Sequence, residues 1–240
     1  IEARLSMDMA ASPMQGARLR VAGGNLVTAR PIGVVDGVDY QHTGLVRRID
    51  RKGIERLLDE RRIVLLSSLG YSPTGEIFNL ACEDVAMSAA IDLQAEKLIL
   101  FGAARGLLDE AGQLVRELRP QQVPPHLARL GSDYQGELLD AAAQACRGGV
   151  RRSHIVSYAE DGALLNELFT RDGTGTLVAQ EQFEQLREAG IDDVGGLLEL
   201  IRPLEEQGIL VRRSREVLER EIGQFSIVER DGLIIACAAL

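Results

Sequence analysis

Three places in this sequence carry side chains whose type and spacing could do chemistry. The first is a short helical stretch running into a glycine turn, ALLNELFTRDGTGT from Ala163 to Thr176. Read by residue type alone, Glu167 is a solvent-facing helix residue and Gly173 a helix terminator. The GTGT run is a poor phosphate loop, because it follows a helix instead of opening one. The second place is the cluster Arg212, Arg213 and Arg215. Three arginines so close together need acidic partners or solvent, and charge pairs one helical turn apart would serve. The third is Asn79, between a strand pattern and a helix pattern, where open α/β sheets bind their ligands. A cap on a helix or turn is the other reading of that asparagine.

Composition removes several classes of function. The chain has 240 residues and a formal net charge of −9, which argues against a nucleic-acid or anionic-membrane surface. Hydrophobic residues make up 45%, ample for a core. No apolar run approaches the roughly 20 residues needed to span a bilayer. Cys82, Cys146 and Cys237 are far apart and odd in number, as expected of buried thiols in a reducing cytoplasm. His42, His126 and His154 show no ligand spacing, so no metal is expected. The chain opens on Ile1 and closes on an apolar strand, LIIACAAL, whose open edge would be sticky. An internal piece of a longer protein is the expectation.

The elements that would position those residues follow an α/β pattern. IVLLSS (Ile63 to Ser68), LILFG (Leu98 to Gly102) and HIVSY (His154 to Tyr158) are continuous apolar runs, the mark of parallel strands buried on both faces. Between them the periodicity predicts helices from Arg51 to Glu60 after the N-cap Asp50, from Asp84 to Ala95, and from Gln135 to Arg147. The fold class is therefore α/β, a mainly parallel sheet sandwiched by helices. The stretches LRVAG, NLVTARP and LVRRID suggest a hairpin region beside that sheet. Gln121 to Pro125 reads as a loop, and Gln180 to Gly190 as a linker. Beyond it, Val194, Leu197, Leu198 and Ile201 form one helical face that Pro203 should kink or end. Ser214 caps the next helix. Asp231-Gly232 then joins FSIVER to LIIACAAL as a hairpin.

Two longer patterns carry a family resemblance. GVDGVDYQHTGLVRRID with FNLACEDVAMSAAIDLQAEKLILF resembles the acetylglutamate-kinase branch of the amino-acid-kinase family. The segment from IDDVGGLLELIRPLEEQGILVRRSREVLEREI onward resembles the start of a GNAT acetyltransferase. Both in this order resemble the family of bacterial N-acetylglutamate synthases. The resemblance implies an amino-acid-kinase-like regulatory domain over 1–180 and the opening of an α+β GNAT domain over 185–240.

In the kinases an Asn at the position of Asn79 helps to hold the acyl-amino-acid, but the second Asn and the Asp of that motif are Ala81 and Glu83 here. The kinases also place a Lys in the helix assigned to Gln135–Arg147. This helix has none, and Lys52 and Lys97 are the only lysines among 27 basic residues. Phosphoryl transfer depends on such positive charge, so Asn79 is expected to be vestigial. In arginine-sensitive relatives, the equivalents of Glu167 and Gly173 form an allosteric arginine site, a carboxylate and backbone carbonyls facing a guanidinium. Some relatives have a His just before that helix, where Gly162 stands here.

For the second domain the resemblance implies that Arg213, with Arg212 as its alternative, grips the carboxylate of L-glutamate. The implied reaction is acetyl transfer from acetyl-CoA to the amino group of glutamate, opening arginine biosynthesis under feedback by L-arginine. Proximity and oxyanion stabilisation would drive it, without an acetyl-enzyme. Most acetyl-CoA contacts are expected beyond Leu240, and the catalytic acid or base is not assigned. A homo-oligomer, with no nucleic-acid or membrane partner, completes the expectation. An active acetylglutamate kinase using ATP and a non-catalytic arginine-binding module are the alternatives.

Overall fold

The computed structural model describes residues 2–5, 16, 19–131, 133–170, 173–180, 185–230 and 233–239. It divides into two compact units, Ile1–Gln180 and Glu181–Leu240.

The first unit is organised around the strand Arg152–Ser157, which is buried at every position. It pairs parallel with Lys97–Gly102 and antiparallel with Thr176–Ala179. Thr176–Ala179 in turn takes Glu117–Leu118 as a parallel edge. The helix Tyr134–Arg147 lies against this sheet. Its buried face includes Leu138, Leu139, Ala142, Ala145 and Cys146, and the small residues let it approach closely. Cys146 Sγ donates to the carbonyl of Val178 at 3.1 Å, so the thiol has a structural role.

A second sheet runs Gly44–Ile49, Val27–Pro31, Leu69–Tyr71, Ile77–Asn79. Val27–Pro31 is antiparallel to Gly44–Ile49 and parallel to Leu69–Tyr71. As predicted, Asp50 caps the helix Arg51–Asp59, accepting from the Gly53 amide at 3.1 Å.

The second unit is a three-stranded antiparallel sheet of Gln185–Glu188, Phe225–Arg230 and Leu233–Ala239. The helices Val194–Glu206 and Arg215–Glu221 complete it, with Val194, Leu197, Leu218 and Ile227 fully buried. Ser214 caps the second helix through the Val217 amide, as its residue type predicts. Arg187 ties the unit together, reaching Asp193 at 2.6 Å and Glu229 at 2.6 Å. Its hydrogen bonds, with that of the Gly190 amide, hold the Asp193 carboxyl down at about 2.

Several expectations change. The α/β class holds, but the sheets are mixed. Of IVLLSS only Ile63–Val64 is a strand, paired parallel with Val21–Ala22 in a separate ribbon and not buried on both faces. Gln121–Pro125 is no loop: the turn Pro120–Gln122 leads into the helix Val123–Leu130. Pro124 and Pro125 sit in its first turn, where an amide hydrogen would have no partner. The stretch read as a linker contains the strand Gln185–Glu188, while 181–184 lie outside the described residues. Of the two outcomes expected at Pro203, a kink or an end, the helix does not end there but runs on to Glu206. Phe225–Arg230 and Leu233–Ala239 do pair as a hairpin, but its turn, Asp231-Gly232, lies outside the described residues. Among the described residues no helix is long and apolar enough to cross a membrane, and no group of three or more His, Cys, Asp or Glu could hold a metal.

Thr176 joins the sheet to the loop beside it. Its hydroxyl, fully buried, accepts from the Leu107 amide at 2.8 Å and donates to the Val115 carbonyl at 2.7 Å. Thr176→Val keeps the shape and orphans both backbone groups. We expect it to lower unfolding stability by about 2–3 kcal/mol in urea titration; an unchanged midpoint would show that the loop does not depend on this hydroxyl.

Candidate functional site

Glu167 is not the solvent-facing residue its position suggests. The helix Ala163–Phe169 is short and presents it inward, with 6% of its side chain exposed. A buried carboxylate needs donors, and three are in place. His154 Nδ1 lies 2.8 Å from Oε1. The amides of Thr174 and Gly175 donate to Oε2 at 2.7 and 2.8 Å. Burial pushes the carboxyl upward, but the bonds from His154, Gly175 and Thr174 outweigh it and hold Glu167 below its ordinary value.

Gly173 sits against the same carboxylate. Its φ is +58°, and a Cβ there would fall 2.5 Å from Glu167 Oε2. Left-handed backbone and lack of space both require glycine. It does not terminate the helix, whose C-cap is Thr170. The Gly173 carbonyl accepts from Arg116 Nη1 at 3.4 Å.

The histidine comes from an unexpected place. Gly162, where some relatives have a His, is the N-cap of the short helix. His154, set aside for want of ligand spacing, reaches Glu167 from the central strand. The only sequence signal for it was a polar residue in a strand buried on both faces. A carboxylate only accepts, so Nδ1 carries the proton in this pair. Nε2, the other ring nitrogen, is buried and without a hydrogen-bond partner among the described residues; on a neutral ring it would be an acceptor. The Glu167 carboxylate thus has the His154 ring on one oxygen and the Gly173–Gly175 turn on the other.

The other predicted residues lie apart. Asn79 ends the strand Ile77–Asn79 of the second sheet, its side chain exposed and its amide bonded to the His42 carbonyl at 2.7 Å. It does not cap the following helix, whose N-cap is Ala81. Glu83, at the position of the kinase Asp, is buried and accepts from the Cys82 thiol at 2.9 Å.

A cavity of about 170 Å³ opens at the start of the Tyr134–Arg147 helix. Gly102, Ala103, Ala104, Asp133, Tyr134, Gln135, Leu138 and Ile155 line it, and none carries positive charge. A polyphosphate would meet one carboxylate and no cation.

In the second unit Arg212 and Arg213 are exposed. The Glu205 carboxylate accepts from the Arg213 amide at 2.9 Å, and the Arg213 guanidinium lies 5.6 Å above the centre of the buried Phe225 ring. Arg215 pairs with Glu219 at 2.8 Å, the turn-spaced pair that the residue types allow. Cys237, expected to be a buried thiol, is half-buried, and burial raises its thiol.

The amino acid kinase family matches residues 1–157. The whole chain is 88% identical to an amino-acid acetyltransferase of Pseudomonas paraeruginosa and spans 56% of that protein's length. It therefore covers about half of the curated relatives it matches. N-acetylglutamate synthase from Neisseria gonorrhoeae, complexed with coenzyme A and L-arginine, is 40% identical with a TM-score of 0.76; the alignment covers 100% of this chain and 55% of that one. The same enzyme complexed with coenzyme A and N-acetyl-glutamate gives 44% identity and a TM-score of 0.65, over 94% and 53% of the two chains.

Two measurements follow. The lowered carboxyl of Glu167 contributes stability that is fully present above its ordinary value of 4.5 and lost as pH falls through the lower folded value. Glu167→Gln should flatten that acid limb in urea midpoints taken between pH 7 and 3. Equal slopes for both proteins would mean that the carboxylate is not held as described. A cavity that offers no cation also predicts no ADP release dependent on acetylglutamate in a coupled assay; turnover well above background would contradict it.

Proposed function

The chain belongs to the amino acid kinase family, and on that premise we propose that it is the regulatory domain and opening acetyltransferase segment of a glutamate N-acetyltransferase. The kinase-like unit binds L-arginine as a feedback effector. The second unit contributes to binding L-glutamate, which takes an acetyl group from acetyl-CoA. The product is N-acetyl-glutamate, the ligand in one of the related structures. The reading extends to a cytoplasmic homo-oligomer and to arginine biosynthesis.

The observation that carries the effector site is the unpartnered His154 Nε2 beside a buried carboxylate and a glycine carbonyl. A guanidinium has five donors and no acceptor. A site offering a carboxylate, a bare imidazole nitrogen and a carbonyl is its chemical complement. Glu167 supplies the charge, His154 Nε2 and the Gly173 carbonyl each accept an N–H, and the glycine turn fixes their spacing. The related structure with L-arginine supports that choice of ligand.

At the other site Arg213 would meet a substrate carboxylate by a charge-assisted fork. Its main chain is already held by Glu205 and its guanidinium plane rests on Phe225, so less freedom is lost on binding. Arg212, exposed beside it, remains the alternative. Acetyl transfer itself would need only an aligned neutral amine and stabilisation of the oxyanion.

The test is a double dissociation in a protein of the length of its relatives. Glu167→Gln should weaken L-arginine binding by about 1.5–3 kcal/mol in calorimetry, the scale of a charged hydrogen bond, and leave the KM for glutamate near its original value. Arg213→Ala should lower kcat/KM for glutamate ten- to several-hundred-fold, on the order of a few kcal/mol, with arginine affinity intact. Unchanged arginine affinity in the first variant, or unchanged glutamate dependence in the second, would remove the corresponding site.

A further inference from the structure

The two nitrogens of His154 have unequal surroundings. Nδ1 lies 2.8 Å from Glu167 Oε1. Nε2 is buried with no hydrogen-bond partner among the described residues. With the Nδ1 proton given to Glu167, a neutral ring offers Nε2 as an acceptor, and an imidazolium offers it as a donor. A proton taken up at Nε2 therefore inverts what that atom presents to a ligand. It also changes the charge of the pair. Neutral His154 beside ionised Glu167 leaves one negative charge, and protonated His154 leaves none.

The charged groups on the elements around the ring are few. The short helix contributes Glu167. On the strand of His154 itself, Arg152 lies two residues away on the same face. The cross-strand partners of His154, Leu177 and Ile99, are apolar. Beyond them Glu117 pairs with Leu177, and Lys97 pairs with Arg152. Arg116 reaches the Gly173 carbonyl from the start of the edge strand. Glu167 is held below its ordinary value of 4.5. Of these residue types, histidine is the one whose charge changes between about pH 5 and 8.

We propose that a proton and L-arginine are alternative occupants of His154 Nε2, so that the effector site fills when that nitrogen is bare and empties as the ring becomes charged. The proposal rests on reading Glu167, His154 and Gly173 as the arginine site. Both changes act in one direction. A donor at Nε2 faces a guanidinium that has donors only, and the neutralised pair no longer attracts a cation. By reciprocity, arginine binding expels the proton from the ring to solvent. Feedback by arginine weakens in acid.

The opposite sign has its own physical cause. If a charged His154 used its Nε2 proton to hold the carboxylate of the effector, arginine would bind more tightly in acid.

Titration calorimetry with L-arginine between pH 7.5 and 5.5, in a protein of the length of its relatives, separates the two. Wild-type affinity should fall about three- to tenfold over that interval, the order by which the neutral fraction of an imidazole changes. His154→Asn keeps an N–H donor for Glu167 near the place of Nδ1 and has no atom at Nε2. It should bind more weakly than the wild type at pH 7.5 and show no slope. At pH 6.5, titrations in two buffers of different ionisation enthalpy should show proton release by the wild type and none by His154→Asn. A flat wild-type profile, tighter binding in acid, or the same slope in His154→Asn overturns the proposal. If His154→Asn does not fold by circular dichroism, the wild-type proton count decides: release supports the proposal, and uptake or no exchange overturns it. Glu167→Gln at pH 7.5 keeps the site and its regulation apart. Wild-type binding that weakens in Glu167→Gln but has a flat pH profile leaves the site standing and overturns only the proton linkage. No binding by the wild type at any pH, or binding indifferent to Glu167→Gln, overturns the site and this proposal with it.

Discussion

The shape of the candidate effector site depends on a single buried carboxylate. Glu167 sits where a charge would be costly, and it stays because a histidine and two amides point at it. Those donors come from the central strand and from the turn after the helix. Satisfying one charge therefore sets the position of three elements. Gly173 is part of the same solution, since any side chain would push the carboxylate out of its cradle. The acceptors that remain, His154 Nε2 and the Gly173 carbonyl, are left over from holding Glu167 in place. A ligand that uses them enters a site already organised, which lowers the ordering cost of binding.

The parts of the fold legible in the sequence were those whose pattern repeats along the chain. The Tyr134–Arg147 helix buries an apolar face, and the strands Lys97–Gly102 and Arg152–Ser157 carry apolar runs at Leu98–Phe101 and Ile155–Val156, patterns that the sequence shows directly. Elements stabilised another way escaped notice. Gln185–Glu188 is a strand because its backbone pairs with Phe225–Arg230 and Arg187 reaches two carboxylates, neither of which leaves an apolar signature. Pro124 and Pro125 suggested a loop because proline breaks a helix interior, yet the first turn tolerates it.

The candidate site was half legible for a related reason. Glu167 and Gly173 lie close in sequence and share a turn, so their association shows in the chain order. His154 belongs to a different element and meets Glu167 only because the helix folds back over the strand. Arg116 is farther still, brought to Gly173 by the parallel pairing of Glu117–Leu118 with Thr176–Ala179. Residues that act together through sheet register leave no local spacing to read.

The two candidate sites restrain arginine in different ways. Arg213 is held by its main chain and by an aromatic face, contacts that leave its N–H donors available to a carboxylate. A fixed cation of that kind costs little to use. Arg116 donates instead to the Gly173 carbonyl. The same side chain type thus rests on an aromatic face in one unit and donates to a carbonyl in the other. The difference lies in what each guanidinium touches: a π face leaves the donor edge open, whereas a carbonyl takes it.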